Sequence, residues 1–409
     1  MTKPRQYIDV RRTKRVVLYV VVALVAVFGA IAAFRLWKTT TSATVYYQRG
    51  FAEQAKGDLD GAIADYNQAI KLNPRHAYAY NNRGLARQTK GDLNGAIADY
   101  DRAIELNSSY ANPYNNRGLA KSAQGDLDSA ITDYNRAIKL NSTYTLAYNN
   151  RGVAKSAKGN LDGAIADYDS AIKLDPNDSR AYYNRGIARQ DKGDLGGAVA
   201  DFDNAIELDP KNAQSYCTRG FARRMKGDLD GALADCGRAI ELDPKNRNAY
   251  YGRGVALYDK RDWNGALADF HKVSALKPAD SRSETLQDYS QIRIWMTRAK
   301  LGERDAATNE LKQYLLTRST AMPNDWLATI ARALTGDVSE SDLLKAADSG
   351  DAKQAQSQRC EAYFYAGALR LFDGDKSTAT DYFKKCLETH LEDYYEYQSA
   401  AAELEFLKQ

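Results

Sequence analysis

A ten-residue segment recurs seven times in this chain at a constant spacing of 34 residues. The first copy, GDLDGAIADY, occupies residues 57–66, and the last, RDWNGALADF, begins at residue 261. A fixed period of this length is typical of repeat proteins, in which each unit is one supersecondary element that stacks on its neighbours. The period therefore constrains the fold more strongly than the length of 409 residues does.

Each period is predicted to contain two helices. In residues 77–110, AYAYNNRGLARQTK forms helix A, Gly91 ends it, and Asp92 is placed to cap helix B. The second half carries an apolar stripe at helical spacing, formed by Leu93, Ile97, Tyr100 and Ile104. A single pair of helices cannot bury such a stripe alone, so neighbouring pairs must cover it.

Small and aromatic residues recur at fixed positions of the period. In residues 77–110 they are Gly84, Gly91, Ala96, Tyr100 and Ala103. This pattern resembles the signature of the tetratricopeptide repeat (TPR) family. The resemblance implies an all-α TPR solenoid, a right-handed superhelix of antiparallel helix pairs whose A helices line a concave groove. It also implies that the groove binds proteins or extended peptides.

Arginine and aspartate are constant at two further positions. Positions are counted from the first residue of each unit, so that Ala77 is position 1 of residues 77–110. Position 7 of each unit is arginine and position 23 is aspartate, and we predict that they form a ladder of charge-assisted hydrogen bonds. The alternative is a basic binding stripe, since position 11 is also basic in units two to six. The residues concerned are Arg49, Arg83, Arg117, Arg151, Arg185, Arg219 and Arg253, with Asp65, Asp99, Asp133, Asp167, Asp201, Asp235 and Asp269.

Asparagines at positions 5 and 6 of helix A are the predicted peptide-binding residues. An amide offers donors and an acceptor, which suits the backbone of an extended peptide. The pattern resembles the asparagine ladder in the repeat domain of a sugar transferase that modifies many proteins; alternatively, duplication copied a polar residue that only hydrates helix A. We expect alanine at the position-6 asparagines to leave the thermal melt almost unchanged and to abolish partner capture. The predicted residues are Asn81, Asn82, Asn115, Asn116, Asn149, Asn150 and Asn184.

The amino-terminal region predicts a membrane anchor. Residues 16–34 form an uncharged apolar run that is long enough to span a bilayer as a signal-anchor helix. Residues 1–15 are a basic tail, which the positive-inside rule places in the cytoplasm, and residues 35–44 are a linker. The predicted localisation is the bacterial inner membrane, single-pass, with the repeats in the periplasm. A cleaved signal peptide is the alternative.

The strict period ends near residue 280. Residues 45–280 hold seven repeats, and residues 281–409 are predicted to be a helical region with degenerate repeats. Within it, residues 325–404 resemble NlpI-type periplasmic TPR adaptors, which bring proteases and cell-wall hydrolases to their substrates. The resemblance rests on DWL, AYFYAG and EYQSAAAEL.

The sequence has few histidines and cysteines, which are residues that often bind metals or act as nucleophiles. Three scattered histidines and four cysteines form no metal or catalytic motif, so no enzyme activity, catalytic residue, metal or cofactor is predicted. Beyond residue 40 the sequence has a net charge of about three negative charges, which argues against nucleic acid as a partner, and no small-molecule substrate is expected. The cysteines are predicted to be buried thiols, although a bridge between Cys217 and Cys236 fits an oxidising compartment.

The predicted function is a membrane-anchored scaffold or adaptor for a protein or peptide partner. One alternative is a structural protein that self-assembles into homo-oligomers. The other is a regulatory subunit of a periplasmic protease or cell-wall hydrolase.

Overall fold

The computed structural model describes residues 25, 27–29, 42–278, 280–318, 325–348, 351–392 and 394–408. Within these residues every regular element is a helix, as predicted. The protein divides into two compact units, with the boundary between Leu174 and Asp175.

Unit 1 consists of helix pairs in which helix A has 13 residues and helix B has 14 wherever both ends are described. Its helices are α1 (42–55), α2 (Leu59–Leu72), α3 (Ala77–Thr89), α4 (Leu93–Leu106), α5 (Ala111–Ala123), α6 (Leu127–Leu140), α7 (Thr145–Ala157) and α8 (Leu161–Leu174).

Unit 2 continues with three more pairs, in the last of which helix B has 13 residues, and ends in helices of irregular length. The pairs are α9 (Ser179–Asp191) with α10 (Leu195–Leu208), α11 (Ala213–Met225) with α12 (Leu229–Leu242), and α13 (Arg247–Asp259) with α14 (Trp263–Ala275). The remaining helices are α15 (Ser281–Lys300), α16 (Arg304–Thr317), α17 (Trp326–Leu334), α18 (Glu340–Ala346), α19 (Ala352–Phe372), α20 (Lys376–Leu387) and α21 (Tyr395–Leu407). One apolar core joins α13 to the helices that follow it.

The recurring GD dipeptide makes the turn between the two helices of a pair. Gly91 takes a φ of 88°, a left-handed conformation that a glycine adopts without steric cost. The Asp92 carboxylate then accepts a hydrogen bond from the Gly95 N–H at 2.9 Å and so caps helix B. In the seventh copy Arg261 replaces the glycine and still takes a φ of 65°.

The second recurring glycine lets the helices of a pair pack closely. A Cβ atom added to Gly118 would lie 2.6 Å from Cε1 of Tyr134, whose ring is buried. The same glycine-on-ring contact occurs at Gly84, Gly152, Gly186 and Gly254. The constancy of this position therefore follows from packing.

We expect Gly118→Ala to lower the free energy of unfolding by about 1–2 kcal/mol, because the methyl group must displace the Tyr134 ring. Gly237 is the matched control, since it lies inside α12 with no neighbouring atom within 4 Å of an added Cβ. Gly237→Ala should raise the stability by about 0.5–1 kcal/mol through helix propensity. Urea unfolding followed by circular dichroism measures both changes, and equal effects of the two substitutions would contradict the packing argument.

The predicted arginine–aspartate ladder is confirmed. In each of the seven repeats the position-7 arginine donates Nε–H and Nη2–H to the two oxygens of the position-23 aspartate. The basic residue at position 11 binds the same aspartate in units two to six. The position-23 aspartates thus bind the basic side chains of positions 7 and 11. This favours a structural role for these basic residues over a basic binding stripe.

The structure contradicts the prediction of a single-pass inner-membrane protein with a periplasmic body. Among the described residues no helix is both long and apolar enough to cross a membrane. The longest of these helices, α15 and α19, carry charged residues along their length. The structure describes residue 25 and residues 27–29 of the predicted anchor 16–34, and the rest of the anchor lies outside the described residues. The predicted basic tail, residues 1–15, and residues 35–41 of the predicted linker also lie outside them.

The prediction of buried thiols is confirmed, because Cys217, Cys236, Cys360 and Cys386 are all buried and free. The alternative of a bridge between Cys217 and Cys236 is therefore not realised in this structure. In unit 2 the sulfur atoms of Cys360 and Cys386 lie 3.3 Å apart, in α19 and α20.

Candidate functional site

The A helices of unit 1 place positions 5, 6 and 9 of successive repeats side by side. We call the surface formed by these positions of α1, α3, α5 and α7 the helix-A face of unit 1. Adjacent A helices are in contact, as α3 is with α5 and α5 with α7. A position-6 side chain therefore reaches the position-5 side chain of the preceding repeat.

The asparagines of this face form a relay of hydrogen bonds that passes from repeat to repeat. Nδ2 of Asn150 donates to Oδ1 of Asn115 at 2.9 Å, and Nδ2 of Asn116 donates to Oδ1 of Asn81 at 3.1 Å. Within a repeat, Asn81 donates to Asn82 at 3.0 Å and Asn115 donates to Asn116 at 3.3 Å.

The relay ends at the first repeat, where Asn82 donates to the Tyr47 hydroxyl at 3.1 Å. The predicted ladder of amides is thus an interconnected hydrogen-bond network across four repeats.

Burial divides the predicted residues into two groups. Asn81, Asn115 and Asn149 at position 5 are buried, so a partner cannot reach them directly. The position-6 residues Asn82, Asn116 and Asn150 are half-buried. Asn184 is also half-buried and lies in unit 2.

Each position-6 amide in the middle of the relay keeps unused hydrogen-bonding capacity. An amide carries two N–H groups and two oxygen lone pairs. Asn116 uses one N–H toward Asn81 and one lone pair for Asn115, which leaves one of each. A backbone carbonyl oxygen and a backbone N–H of a partner would match that remaining pair.

Exposed apolar side chains at positions 2 and 9 of helix A accompany the relay, in addition to the predicted peptide-binding asparagines. Position 9 contributes Phe51, Leu85 and Val153, which are 59%, 36% and 43% exposed. Position 2 adds Tyr78 and Leu146, which are also exposed. The signal was present in the sequence, because position 9 is apolar in every repeat.

In unit 2 the amino-terminal end of α21 covers the corresponding positions. The Tyr395 ring packs on Phe221, a position-9 residue, with 5.1 Å between ring centroids, and it meets Tyr251 edge-on at 5.1 Å. Nη2 of Arg224 donates to the backbone oxygen of Tyr395 at 3.3 Å. The start of α21 therefore covers helix-A positions of α11 and α13.

Buried ion pairs hold α21 in this place. Arg224 donates from Nε and Nη2 to Oδ2 of Asp259, at 2.9 and 2.6 Å, and the Ser399 hydroxyl donates to the other oxygen of Asp259 at 2.9 Å. Arg293 donates to Glu396 at 2.9 Å, and Arg261 donates to Glu403 at 3.1 Å. The unusual Arg261 turn therefore serves to contact α21.

Stacked helix pairs of constant length, with a relay along the A helices, define a helical-repeat protein. Comparison with family models gives the family. The TPR repeat model matches residues 50–91, 89–125, 121–159, 154–193 and 222–260, and two tetratricopeptide repeat models match residues 179–212 and 202–234. Together these matches extend from residue 50 to residue 260, more than half of the sequence. The chain belongs to the tetratricopeptide repeat family.

The chain is similar to several solved structures, and one of them, at a TM-score of 0.50, supports the same fold. A tetratricopeptide repeat protein from Parabacteroides merdae is 21% identical, with a TM-score of 0.50 over 61% of this chain and 99% of that one. A MamA protein is 32% identical over 42% of this chain and 94% of its own, with a TM-score of 0.37. YrrB, whose structure is described as a TPR protein with an unusual peptide-binding site, is 24% identical over 45% of this chain and 95% of its own, with a TM-score of 0.38.

A search of curated protein sequences found no match. The matches to families and solved structures do not show the resemblance of residues 325–404 to NlpI-type adaptors, which stays a prediction.

Proposed function

We propose that this protein is a non-enzymatic scaffold that binds an extended segment of a partner protein on the helix-A face of unit 1. The position-6 amides would hold the partner's backbone, and the exposed position-9 side chains would pack against its apolar residues. Binding of the backbone by amides is largely independent of sequence, so the apolar contacts would supply the preference among partners.

The observation that carries this proposal is the seating of α21 in unit 2. There an aromatic ring packs on a position-9 residue, and a helix-A side chain donates to a backbone oxygen of the seated segment. In unit 1, Phe51, Leu85 and Val153 are the equivalent position-9 side chains, and they are exposed within the part of the protein that the structure describes. Exposed apolar residues in a contiguous patch are typical of a protein-binding surface.

The relay determines which substitutions can test this proposal. Alanine at Asn116 would leave the oxygen of buried Asn81 without its donor, which costs stability as well as binding. This revises the expectation that alanine at the position-6 asparagines would leave the thermal melt almost unchanged. Leu85 and Val153 avoid the difficulty because their exposed side chains make no hydrogen bonds.

The test uses peptides selected from a random display library on the full-length protein, with affinities measured by fluorescence anisotropy. We expect the double substitution Leu85→Ser and Val153→Ser to weaken binding at least about tenfold, since losing about 1.5 kcal/mol of apolar contact has that effect. The thermal melt should stay within a degree or two of the parent, because exposed positions contribute little to stability.

The matched control is Gln68→Ser with Arg102→Ser, two exposed positions on B helices of unit 1. The control should bind the selected peptides as the parent does. Undiminished binding by the Leu85 and Val153 variant would place the site elsewhere and reject the proposal.

A further inference from the structure

A pocket of about 310 Å³ opens in unit 2 between α13, α15, α19 and the start of α21. Its lining is mainly apolar and includes four tyrosines and two carboxyl groups: Tyr251, Tyr289, Tyr394, Tyr395, Glu361 and Glu396. The volume is enough for a small organic group such as an alkyl chain with a charged end. The pocket is separate from the helix-A face of unit 1, so the inference drawn from it goes beyond the proposed function.

Both carboxyl groups are almost completely buried, with 4% of Glu361 and 3% of Glu396 exposed. Glu361 accepts hydrogen bonds from the Tyr289 hydroxyl at 2.9 Å and from Nε1 of Trp326 at 2.6 Å. These donors are neutral, so they orient the Glu361 carboxyl group without balancing its charge.

Glu396 has a cationic partner, and two side chains donate to the same oxygen of its carboxyl group. Oε1 accepts from Nη2 of Arg293 at 2.9 Å and from the Tyr365 hydroxyl at 3.0 Å. Among these donors to the two carboxyl groups, the cation is the Arg293 guanidinium, so one positive charge lies beside two carboxyl groups.

Besides the two carboxyl groups, the tyrosine rings of the pocket can bind a cation. The face of an aromatic ring attracts an alkylammonium or guanidinium group, and a few rings around a cavity recognise ammonium groups in proteins. One such contact is already present, because the Arg224 guanidinium lies 5.0 Å from the centroid of Tyr395. Tyr289 and Tyr394 are half-buried and remain in contact with the open pocket.

We propose that this pocket binds an alkylammonium group, with the ammonium near Glu361 and Glu396 and the alkyl chain against the tyrosine rings. The group could be supplied by a lysine side chain of a protein partner or by a free organic amine. Arg282 lines the exposed rim, where its positive charge opposes the approach of a cation.

The protonation of Glu361 couples binding to pH. Burial, and then the charge of Glu396, raise the pKa of Glu361 to about 8, while Trp326, Tyr289 and Arg293 act in the opposite direction. Glu361 is therefore mostly protonated at neutral pH. A bound ammonium group favours the carboxylate, so the proton of Glu361 passes to solvent on binding and the affinity rises with pH.

The test is calorimetric titration of the full-length protein with n-butylammonium at about pH 8.5, where Glu361 is partly ionised and the amine is still charged. We expect a Kd in the millimolar range, and at least about tenfold weaker binding of the uncharged analogue 1-butanol. Affinity for n-butylammonium should rise from about pH 7 to about pH 9. Nα-acetyl-lysine methylamide distinguishes the sources: binding of this probe assigns the pocket to a lysine side chain, and its exclusion assigns the pocket to a free amine.

Variants identify the groups responsible. Glu361→Gln should weaken n-butylammonium binding about fivefold or more and remove its pH dependence, because the titrating charge is gone. Tyr394→Ala should weaken binding, Tyr394→Phe should retain it, and Arg282→Gln should retain or strengthen it. Glu392→Gln, at an exposed position, is the matched control. Equal binding of 1-butanol and n-butylammonium, or full affinity in Glu361→Gln, would overturn the proposal.

Discussion

Asp133→Asn is expected to lower the free energy of unfolding by about 2–4 kcal/mol. The carboxylate is buried and binds two cations. Oδ1 accepts from Nη2 of Arg117 at 2.5 Å, and Oδ2 accepts from Nε of Arg117 and from Nζ of Lys121, both at 2.9 Å. Asparagine removes the charge and turns one acceptor into a donor that faces the guanidinium.

The cost is large because two cations lose their partner together. Breaking a fully buried ion pair costs about 3–5 kcal/mol. The side chains of Arg117 and Lys121 are 18% and 23% exposed, so water replaces part of what the carboxylate provided. The expected loss therefore lies below the upper end of that range. Urea unfolding of parent and variant measures it.

The same arginine provides the control. Nη1 of Arg117 donates to Asp101 at 2.6 Å, and the Asp101 side chain is 48% exposed. Asp101→Asn should cost no more than about 1 kcal/mol, as is usual for exposed ion pairs. Equal losses at positions 101 and 133 would show that the ladder contributes no more than ordinary surface pairs.

The fold of the repeats was predictable because each constant residue has one local task. The left-handed turn at Gly91, the cap from Asp92 and the contact of Gly118 with Tyr134 all act within one helix pair. Local constraints of this kind repeat with the sequence period, so seven copies reinforce one prediction. The arginine–aspartate pairs follow the same rule, because both partners lie 16 residues apart in one repeat.

The candidate site was only partly predictable. The sequence identifies asparagines at positions 5 and 6 but does not show that the first lies buried under the second. That difference depends on the rotation of each A helix against the next, a tertiary property that the period does not encode.

The seating of α21 was missed for a similar reason. Tyr395 meets Phe221 across more than 170 residues of sequence, and the segment EYQSAAAEL has no repeat partner that would predict this contact. The departures from the period were nevertheless informative. Arg261 replaces a turn glycine, and it contacts Glu403 of α21. This departure from the repeat pattern thus coincides with a nonlocal contact.

Glu361→Gln is expected to stabilise the protein by a few kcal/mol at about pH 9 and to have little effect near pH 4.5. The pKa of Glu361 is raised to about 8 in the folded protein, with burial as the main cause and Glu396 as the next. In the unfolded protein a glutamate titrates at about 4.3. Between these two values the folded state holds a proton that the unfolded state has lost.

The sign of the effect follows from this difference. The stability contributed by protonated Glu361 is fully present below about pH 4.3, declines as the pH rises, and is lost once the pH passes about 8. Each unit of pKa difference corresponds to about 1.4 kcal/mol, so the full decline amounts to a few kcal/mol. In Glu361→Gln the amide oxygen can accept from the Trp326 N–H, and the amide N–H can donate to the Tyr289 hydroxyl oxygen. Glutamine carries no charge, so its burial has no cost of desolvating a carboxylate.

The measurement is the difference in unfolding free energy between Glu361→Gln and the parent at several pH values. Taking the difference is necessary because paired aspartates act in the opposite direction at low pH: the Arg49 guanidinium holds the pKa of Asp65 below its usual range. Glu392→Gln, at an exposed position, is the matched control for the substitution itself. A difference that stays constant from about pH 4.5 to about pH 9 would mean that folding does not raise the pKa of Glu361, and it would remove the coupling of ammonium binding to pH.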